Sequence, residues 1–204
     1  YHVGKYIKGS MSSYAAAYDE LGIPTDQMIR ESETAPYAVA VGTRSSDKAV
    51  VALPYQSGAG DFIYRRSIAK EVWGTDDPAV IQEKIGGGSG SWAAFWTAAE
   101  ELKQKGYAIV SGDGDLWYAM KNNATTDWVV DGELYLSSER EEFMDVSKRL
   151  TDNGYSNGTV EWTDAWLADM KGLGEKEVFG FFGPAWFVSY TLADGCRDSL
   201  LTEE

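Results

Sequence analysis

The stretch Lys48–Arg66, KAVVALPYQSGAGDFIYRR, decides how the chain is read. Ala49-Val50-Val51-Ala52-Leu53 is a short apolar, β-branched run, which predicts a buried strand. Pro54 stops it, because proline lacks the N–H that a strand ladder needs. Ser57, Gly58 and Gly60 form a flexible turn, and Phe62-Ile63-Tyr64 resumes as a second short strand. Two strands joined across proline and glycine are a place for the chain to cross between domains. The expected division is residues 1–54 and residues 55–204, with Pro54, Gly58 and Gly60 as the hinge.

Before the crossing, residues 1–45 read as polar and irregular, with Tyr14–Leu21 the most helical part. After it, helix signals follow in order. Ser67–Trp73 is a short helix. Asp77-Pro78 provides an N-cap and a proline at the first helical position, starting a helix that runs to about Ile85. The Gly86–Ser91 tract is a loop by composition. Ser91 can cap a helix whose apolar residues Trp92, Phe95, Trp96, Ala99 and Leu102 recur at helical spacing, and Gly106 closes it. Tyr107–Val110 predicts a strand leading into the loop Ser111-Gly112-Asp113-Gly114-Asp115 and then a helix near Leu116. Ser138 with Glu141 has the pattern of a capping box. Residues 155–163 read as polar loop, Asp164–Met170 as a short helix, Glu177–Phe182 as a last strand and Gly183-Pro184 as the start of a final helix. Short strands interspersed among more numerous helices make the class α/β.

Composition narrows the function. The 204 residues carry a net charge of −14, and residues 111–204 hold 19 acidic against 7 basic side chains. Such a surface repels phosphate backbones and anionic headgroups, which argues against nucleic acid and membrane surfaces as partners. No apolar run approaches the roughly 18 residues of a membrane span. Cys196 is the single cysteine and His2 the single histidine, so histidine-based triads, the HExxH zinc helix and multi-cysteine metal sites are excluded. Asp113-Gly-Asp115 lacks the further ligands of a calcium loop, and the Gly86–Gly90 tract lacks the lysine of a phosphate loop. No cofactor or metal is expected. Aromatic residues reach 13%, with eight tryptophans, more than a core alone calls for.

Three loops follow predicted strands and carry exposed special residues: Pro54-Tyr55-Gln56-Ser57, Gly112-Asp113-Gly114-Asp115-Leu116-Trp117 and Gly183-Pro184-Ala185-Trp186. Ligands of open α/β folds collect beyond strand C-termini, so these loops are expected to line one crevice. Tyr55, Trp117 or Tyr118, and Trp186 offer flat apolar faces, while Gln56, Asp113 and Asp115 offer partners for hydroxyls. Sugars need that combination, because their C–H faces stack on rings and their hydroxyls need fixed polar partners. Core packing of the tryptophans and a solvated turn at the aspartates are the simpler alternatives. Glu141 and Glu142 could in principle serve a glycoside hydrolase, but they fall on a charged helix face.

Lys48–Arg66 resembles the crossing segment of bacterial ABC-transporter extracellular solute-binding proteins of the carbohydrate-uptake type, family 1. WGTDDPAVIQEKI, SWAAFWTAAEELKQKGY, SGDGDLWYAM, EREEFMDVSKRLTDNGY and VFGFFGPAWFVSYTL follow in that family's order, over about residues 35–195. The resemblance implies a periplasmic-binding-protein-like fold of type II. The chain would hold mainly its C-terminal lobe with the rear of the N-terminal one, as a fragment of a longer protein. It further implies a receptor without catalytic residues that closes on a sugar or oligosaccharide and delivers it to ABC permease subunits, as a monomer. It would work outside the cell as a membrane-anchored lipoprotein, as is usual in the family, or in the periplasm. Carried over by position, Trp186 is the stacking tryptophan, Trp117 or Tyr118 the second aromatic, Tyr55 and Gln56 the hinge side, and Asp113 and Asp115 the hydroxyl partners. Trp162, Asp164 and Trp166 form a lesser candidate group. The family often has tryptophan directly after Gly-Pro, where this chain has Ala185. A glycoside hydrolase, which needs two carboxylates facing each other across the aromatic loops, is the alternative.

Overall fold

A computed structural model describes residues 14–55, 60–123 and 126–196. The chain separates into two compact units, residues 1–58 and residues 59–204. Gln56 and Gly58 of the expected crossing lie outside the described residues.

The first unit contains α1 (Thr25–Glu31) and α2 (Pro36–Val41) around a small core of Val51, Ala52 and Ala15. Tyr14–Leu21 is not helical, contrary to expectation. Its backbone is engaged elsewhere: Tyr18 N–H donates to the Val50 carbonyl at 2.9 Å, and the Ala15 carbonyl accepts from the Arg44 guanidinium at 2.7 Å. Ala49–Leu53 is extended and partly buried, but its strand pairing is a single antiparallel bridge, Val50 to Thr43. A second link is tighter, since Val51 N–H reaches the Gly42 carbonyl and a Cβ at Gly42 would run into the Ala52 carbonyl.

The second unit is built on four extended segments. β1 (Gly60–Tyr64) pairs antiparallel with β4 (Gly180–Pro184), Phe62 opposite Phe182. On the far side of the β4 segment, Phe179 N–H donates to Ala108 O at 2.7 Å and Ala108 N–H to Glu177 O at 3.0 Å, a parallel pairing. Ile109 N–H then donates to Tyr155 O, and Thr159 N–H to Ser111 O at 3.1 Å, a second parallel pairing. Residues 155–159, expected as loop, are therefore the outer strand-like segment. The two parallel crossovers run through helices, as parallel neighbours require. Between residues 111 and 155 lie α6 (Asp113–Asn123), the short hairpin β2 (Val129–Val130) and β3 (Glu133–Leu134), and α7 (Ser138–Asp152); between 159 and 177 lies α8 (Asp164–Met170).

Side-chain alternation along these segments fills two layers. Ile109, Phe179 and Phe62 point to one face, against α3 (Arg66–Trp73), α4 (Pro78–Ile85), α5 (Ala93–Gln104), α6 and α7, where Ile68, Ile81, Phe95, Leu102, Leu116 and Leu150 are buried. Ala108, Val178, Phe181 and Ile63 point to the other, against Trp166 and Met170 of α8 and Phe187 of α9 (Ala185–Phe187). A π-type turn, Val188–Leu192, and α10 (Ala193–Cys196) continue that last helical stretch. Helix ends follow their residues: Asp77 caps α4 through Ala79 and Val80 N–H, and Gly74 and Gly86 take the left-handed conformation at C-termini. The cap of α7 falls on Ser137 rather than Ser138, so the capping box with Glu141 does not form.

Arg65, at the end of β1, ties both layers. Its guanidinium donates to the carbonyls of Val178 at 3.0 Å, Met170 at 2.6 Å and Asp169 at 3.3 Å. Arg65→Met keeps much of the packing but removes the guanidinium hydrogen bonds to these three part-buried carbonyls, at about 1 kcal/mol each. Urea unfolding of this variant should show a loss of about 3 kcal/mol; a loss below about 1 kcal/mol would contradict the assignment.

Candidate functional site: the C-terminal edge of the sheet

The parallel segments end at one edge, and so does the start of the antiparallel β1. Gly60 pairs with Pro184, so Trp186 follows two residues beyond the sheet. Ser111 and Thr159 end side by side, where Thr159 also gives its hydroxyl to the Ser111 carbonyl at 3.2 Å. Gly112 makes this approach possible, because a Cβ there would strike the Thr159 carbonyl. The chain then turns directly into α6 on one side and into Glu161 and Trp162 on the other.

Asp113 and Asp115 are therefore not loop residues. They occupy the first turn of α6, where the helix dipole favours carboxylates. Asp113 is exposed and accepts a hydrogen bond from the Ser147 hydroxyl of α7 at 2.6 Å. Asp115 is 1% exposed, with Oδ2 accepting from the Ser111 hydroxyl at 2.6 Å. Its expected contact with ligand hydroxyls is thus corrected: the carboxyl faces the interior and fastens the end of the sheet to α6. Burial pushes its pKa up to about 6, against the easing effect of Ser111 and the Trp166 indole. Asp115 Oδ1 and Trp166 Nε1 lack a hydrogen bond of good geometry, so the indole eases the charge without being aligned on it.

Glu161 lies over the start of α6. A Cβ at Gly114 would sit 3.2 Å from its Cγ and 3.3 Å from its Cδ, so glycine leaves the space the glutamate occupies. Partial burial, then the charges of Asp115 and Asp113, push its pKa up to about 7, and Lys121 opposes them. Trp162, next in sequence, has φ of 64°, a left-handed backbone that a bulky residue adopts only when its surroundings impose it. Thr163 then caps α8 by accepting from Trp166 N–H at 3.4 Å.

The aromatic residues of this edge form a continuous row. The Trp162 ring lies 5.1 Å from Trp166, Trp166 5.7 Å from Phe187, and Phe187 6.3 Å from Trp186. The two inner rings are buried, while the outer two, Trp162 at 63% and Trp186 at 41%, are exposed. The row links Trp186 to Trp162 and Trp166, the group that sequence ranked lower. Asp164, in the first turn of α8, is exposed. Tyr118 is exposed on α6, with Lys121 Nζ 4.5 Å from its ring centre. Trp117 turns the other way, packing on Phe143 at 4.9 Å and Trp128 at 6.4 Å, and so joins the α6–α7 contact. Tyr55 is 82% exposed in the first unit. Glu161 was not singled out from sequence, although Thr159-Val160 followed by a helix-capping Thr163 is a strand-to-helix signal.

An open depression of about 510 Å³ between α5 and α7, lined by Trp96, Glu100, Arg149 and Tyr155, is not this site. Its polar groups are held by its own walls, with Tyr155 Oη on Glu100 at 3.0 Å and the Arg149 guanidinium 4.7 Å from the Trp96 ring. The sheet edge instead combines solvent-facing rings with carboxylates, an arrangement suited to holding a polyhydroxylated ligand.

Because folding raises the Asp115 pKa above its ordinary value, the fold favours the protonated acid. Its contribution is complete below about pH 4 and is lost as pH rises through about 6. The difference between its ordinary value near 4 and about 6 corresponds to roughly 3 kcal/mol. Glu161, only partly buried, adds in the same direction. Unfolding free energies measured from pH 4 to 8 should fall with rising pH, and Asp115→Asn should flatten that fall; parallel curves would refute the burial of this acid.

No family model matches the chain, and no curated protein matches it. Solved structures do. An extracellular solute-binding protein of family 1 superposes with a TM-score of 0.78 over 96% of this chain at 18% identity. The ABC transporter associated binding protein from B. animalis subsp. lactis Bl-04, in complex with beta-1,6-galactobiose, superposes with a TM-score of 0.57 over 84% of this chain at 21% identity. The chain spans about half the length of these proteins, 48% and 42%. Its α/β fold is that of roughly half of an extracellular solute-binding protein.

Proposed function

We propose that the chain contributes one wall of a sugar-binding cleft and belongs to the substrate-capturing component of an ABC importer. The observation that carries this reading is the pair of solvent-facing tryptophans, Trp162 and Trp186, on a sheet edge that also presents Glu161 and Asp113. Indole faces stack on the C–H faces of a pyranose, and carboxylates accept from its hydroxyls. The likeness to a binding protein carrying beta-1,6-galactobiose supports the same ligand class. Tyr118 is a third aromatic within this set, and Tyr55 with Gln56 serves the hinge side. Closure takes place about the crossing at Pro54, Gly58 and Gly60, in the manner of a two-lobed receptor. The whole protein works as a monomer outside the cytoplasmic membrane, free or lipid-tethered, and passes the sugar unchanged to permease subunits.

Isothermal titration of the chain with beta-1,6-galactobiose and a panel of mono- and oligosaccharides tests this. At least one saccharide should bind saturably and be recovered intact. Trp186→Ala and Trp162→Ala should each weaken it about tenfold, consistent with the loss of one stacked ring, while Trp186→Phe should retain most of the affinity. Recovery of a cleaved sugar would move the reading to a glycoside hydrolase using Glu161 and Asp113. Absence of binding to every saccharide would overturn the ligand class.

A further inference from the structure

The hairpin of β2 and β3 follows α6 and packs on it, the Trp128 ring 6.4 Å from that of Trp117. Residues 126–136 are all exposed, and six of these eleven are apolar: Trp128, Val129, Val130, Leu134, Tyr135 and Leu136. Leu134 is 78% exposed. The hairpin is nevertheless firmly made. Asp131 and Gly132, with φ of 53° and 85°, form the tight turn that an Asp-Gly pair favours, and Tyr135 N–H closes on Trp128 O at 2.7 Å. A two-stranded hairpin is marginal alone, so it needs an anchor. Arg140 of α7 supplies one, donating to the carbonyls of Thr126 at 2.7 Å, Asp127 at 3.3 Å and Tyr135 at 3.4 Å. Its guanidinium also lies 4.0 Å from the centre of the Trp128 ring.

Charge around this apolar ridge is mostly of one sign, with Lys121 in the last turn of α6 the exposed exception. Asp127, Asp131 and Glu133 are exposed within the hairpin, and Glu141, Glu142 and Asp145 on α7 beyond it. Between Lys121 and Lys148 the sequence has no basic residue except Arg140, which is buried and committed to the hairpin. A second copy of the chain would bring like charges together, and an anionic membrane would be repelled. An organised, uncovered apolar ridge with an acidic border matches a surface of the opposite border.

We infer that the β2–β3 hairpin and the adjoining face of α7 form a docking surface for a protein partner with an apolar centre and a basic rim. The intact chain is tested by fluorescence anisotropy with a labelled amphipathic helical peptide, leucine on one face and lysine flanking it, and with the same peptide carrying glutamate for lysine. The lysine peptide should bind, weaken as salt is raised, and lose about tenfold in affinity on Leu134→Ser or Val129→Ser, while the glutamate peptide should not bind. Both residues are exposed, so thermal melting should confirm that the variants remain folded. Equal binding of the two peptides, or binding unaffected by the substitutions, would overturn the proposal. So would a concentration-dependent dimer in sedimentation that Leu134→Ser abolishes, which assigns the ridge to a second copy. Uptake by phosphatidylcholine vesicles would assign it to a membrane. Resistance of Leu134→Cys to maleimide, in a Cys196→Ser background, would show the ridge covered from within the chain.

Discussion

The backbone contact between Ser111-Gly112 and Thr159 is the constraint on which the candidate site depends. Two parallel segments end there with no side chain between them, since the Gly112 hydrogen is all the Thr159 carbonyl leaves room for. The contact sets where α6 begins, and therefore where Asp113 and Asp115 stand. It equally sets where the other chain leaves the sheet, and so the positions of Glu161 and Trp162. Behind it, Asp169 holds the outer segment from the interior, accepting from Thr159 Oγ1 at 2.7 Å and Asn157 Nδ2 at 2.6 Å. The close approach is thus braced by buried polar groups that find their partners inside the fold.

The electrostatics of this edge differ from what a count of acids implies. Burial pushes Asp115 up to about 6, and burial followed by the charge of Asp115 pushes Glu161 up to about 7. Near neutral pH the edge consequently carries less negative charge than its three carboxyls allow. Beside indole faces, a Glu161 carboxyl that is only partly ionised near neutral pH suits a neutral, hydroxyl-rich ligand better than a cation. Further exposed carboxylates gather around the hairpin and α7, Asp131, Glu133, Glu141, Glu142 and Asp145 among them.

Much of the fold was legible where local chemistry decides local structure. Asp77-Pro78 starts α4, Gly106 follows α5, and Phe62–Tyr64 forms β1 within the resemblance to a solute-binding protein. Readings failed where distant partners intervene. Tyr14–Leu21 has helical composition, yet Val50 and Arg44 engage its backbone. Residues 155–159 look like loop because Ser156, Asn157 and Gly158 are polar, and only Asp169 and the 107–111 segment make them a strand. Gly-Asp-Gly-Asp reads as a turn until the helix dipole and Ser111 fix both aspartates in α6. At the site, the exposed Trp186 and its position beyond β4 could be read from sequence. The inward turn of Asp115 and the placing of Glu161 over Gly114 could not, because both follow from the Gly112–Thr159 contact.

The central claim is that this sheet edge is the ligand face, and the indole resonances of the eight tryptophans test it directly. In a ¹⁵N-correlated spectrum of the chain titrated with beta-1,6-galactobiose, the Nε1–H signals of Trp162 and Trp186 should move together and saturate. Those of Trp73, Trp92 and Trp96, packed in the layer around α5, should stay in place. Shifts confined to Trp92 and Trp96 would move the ligand to the depression between α5 and α7 and contradict the account.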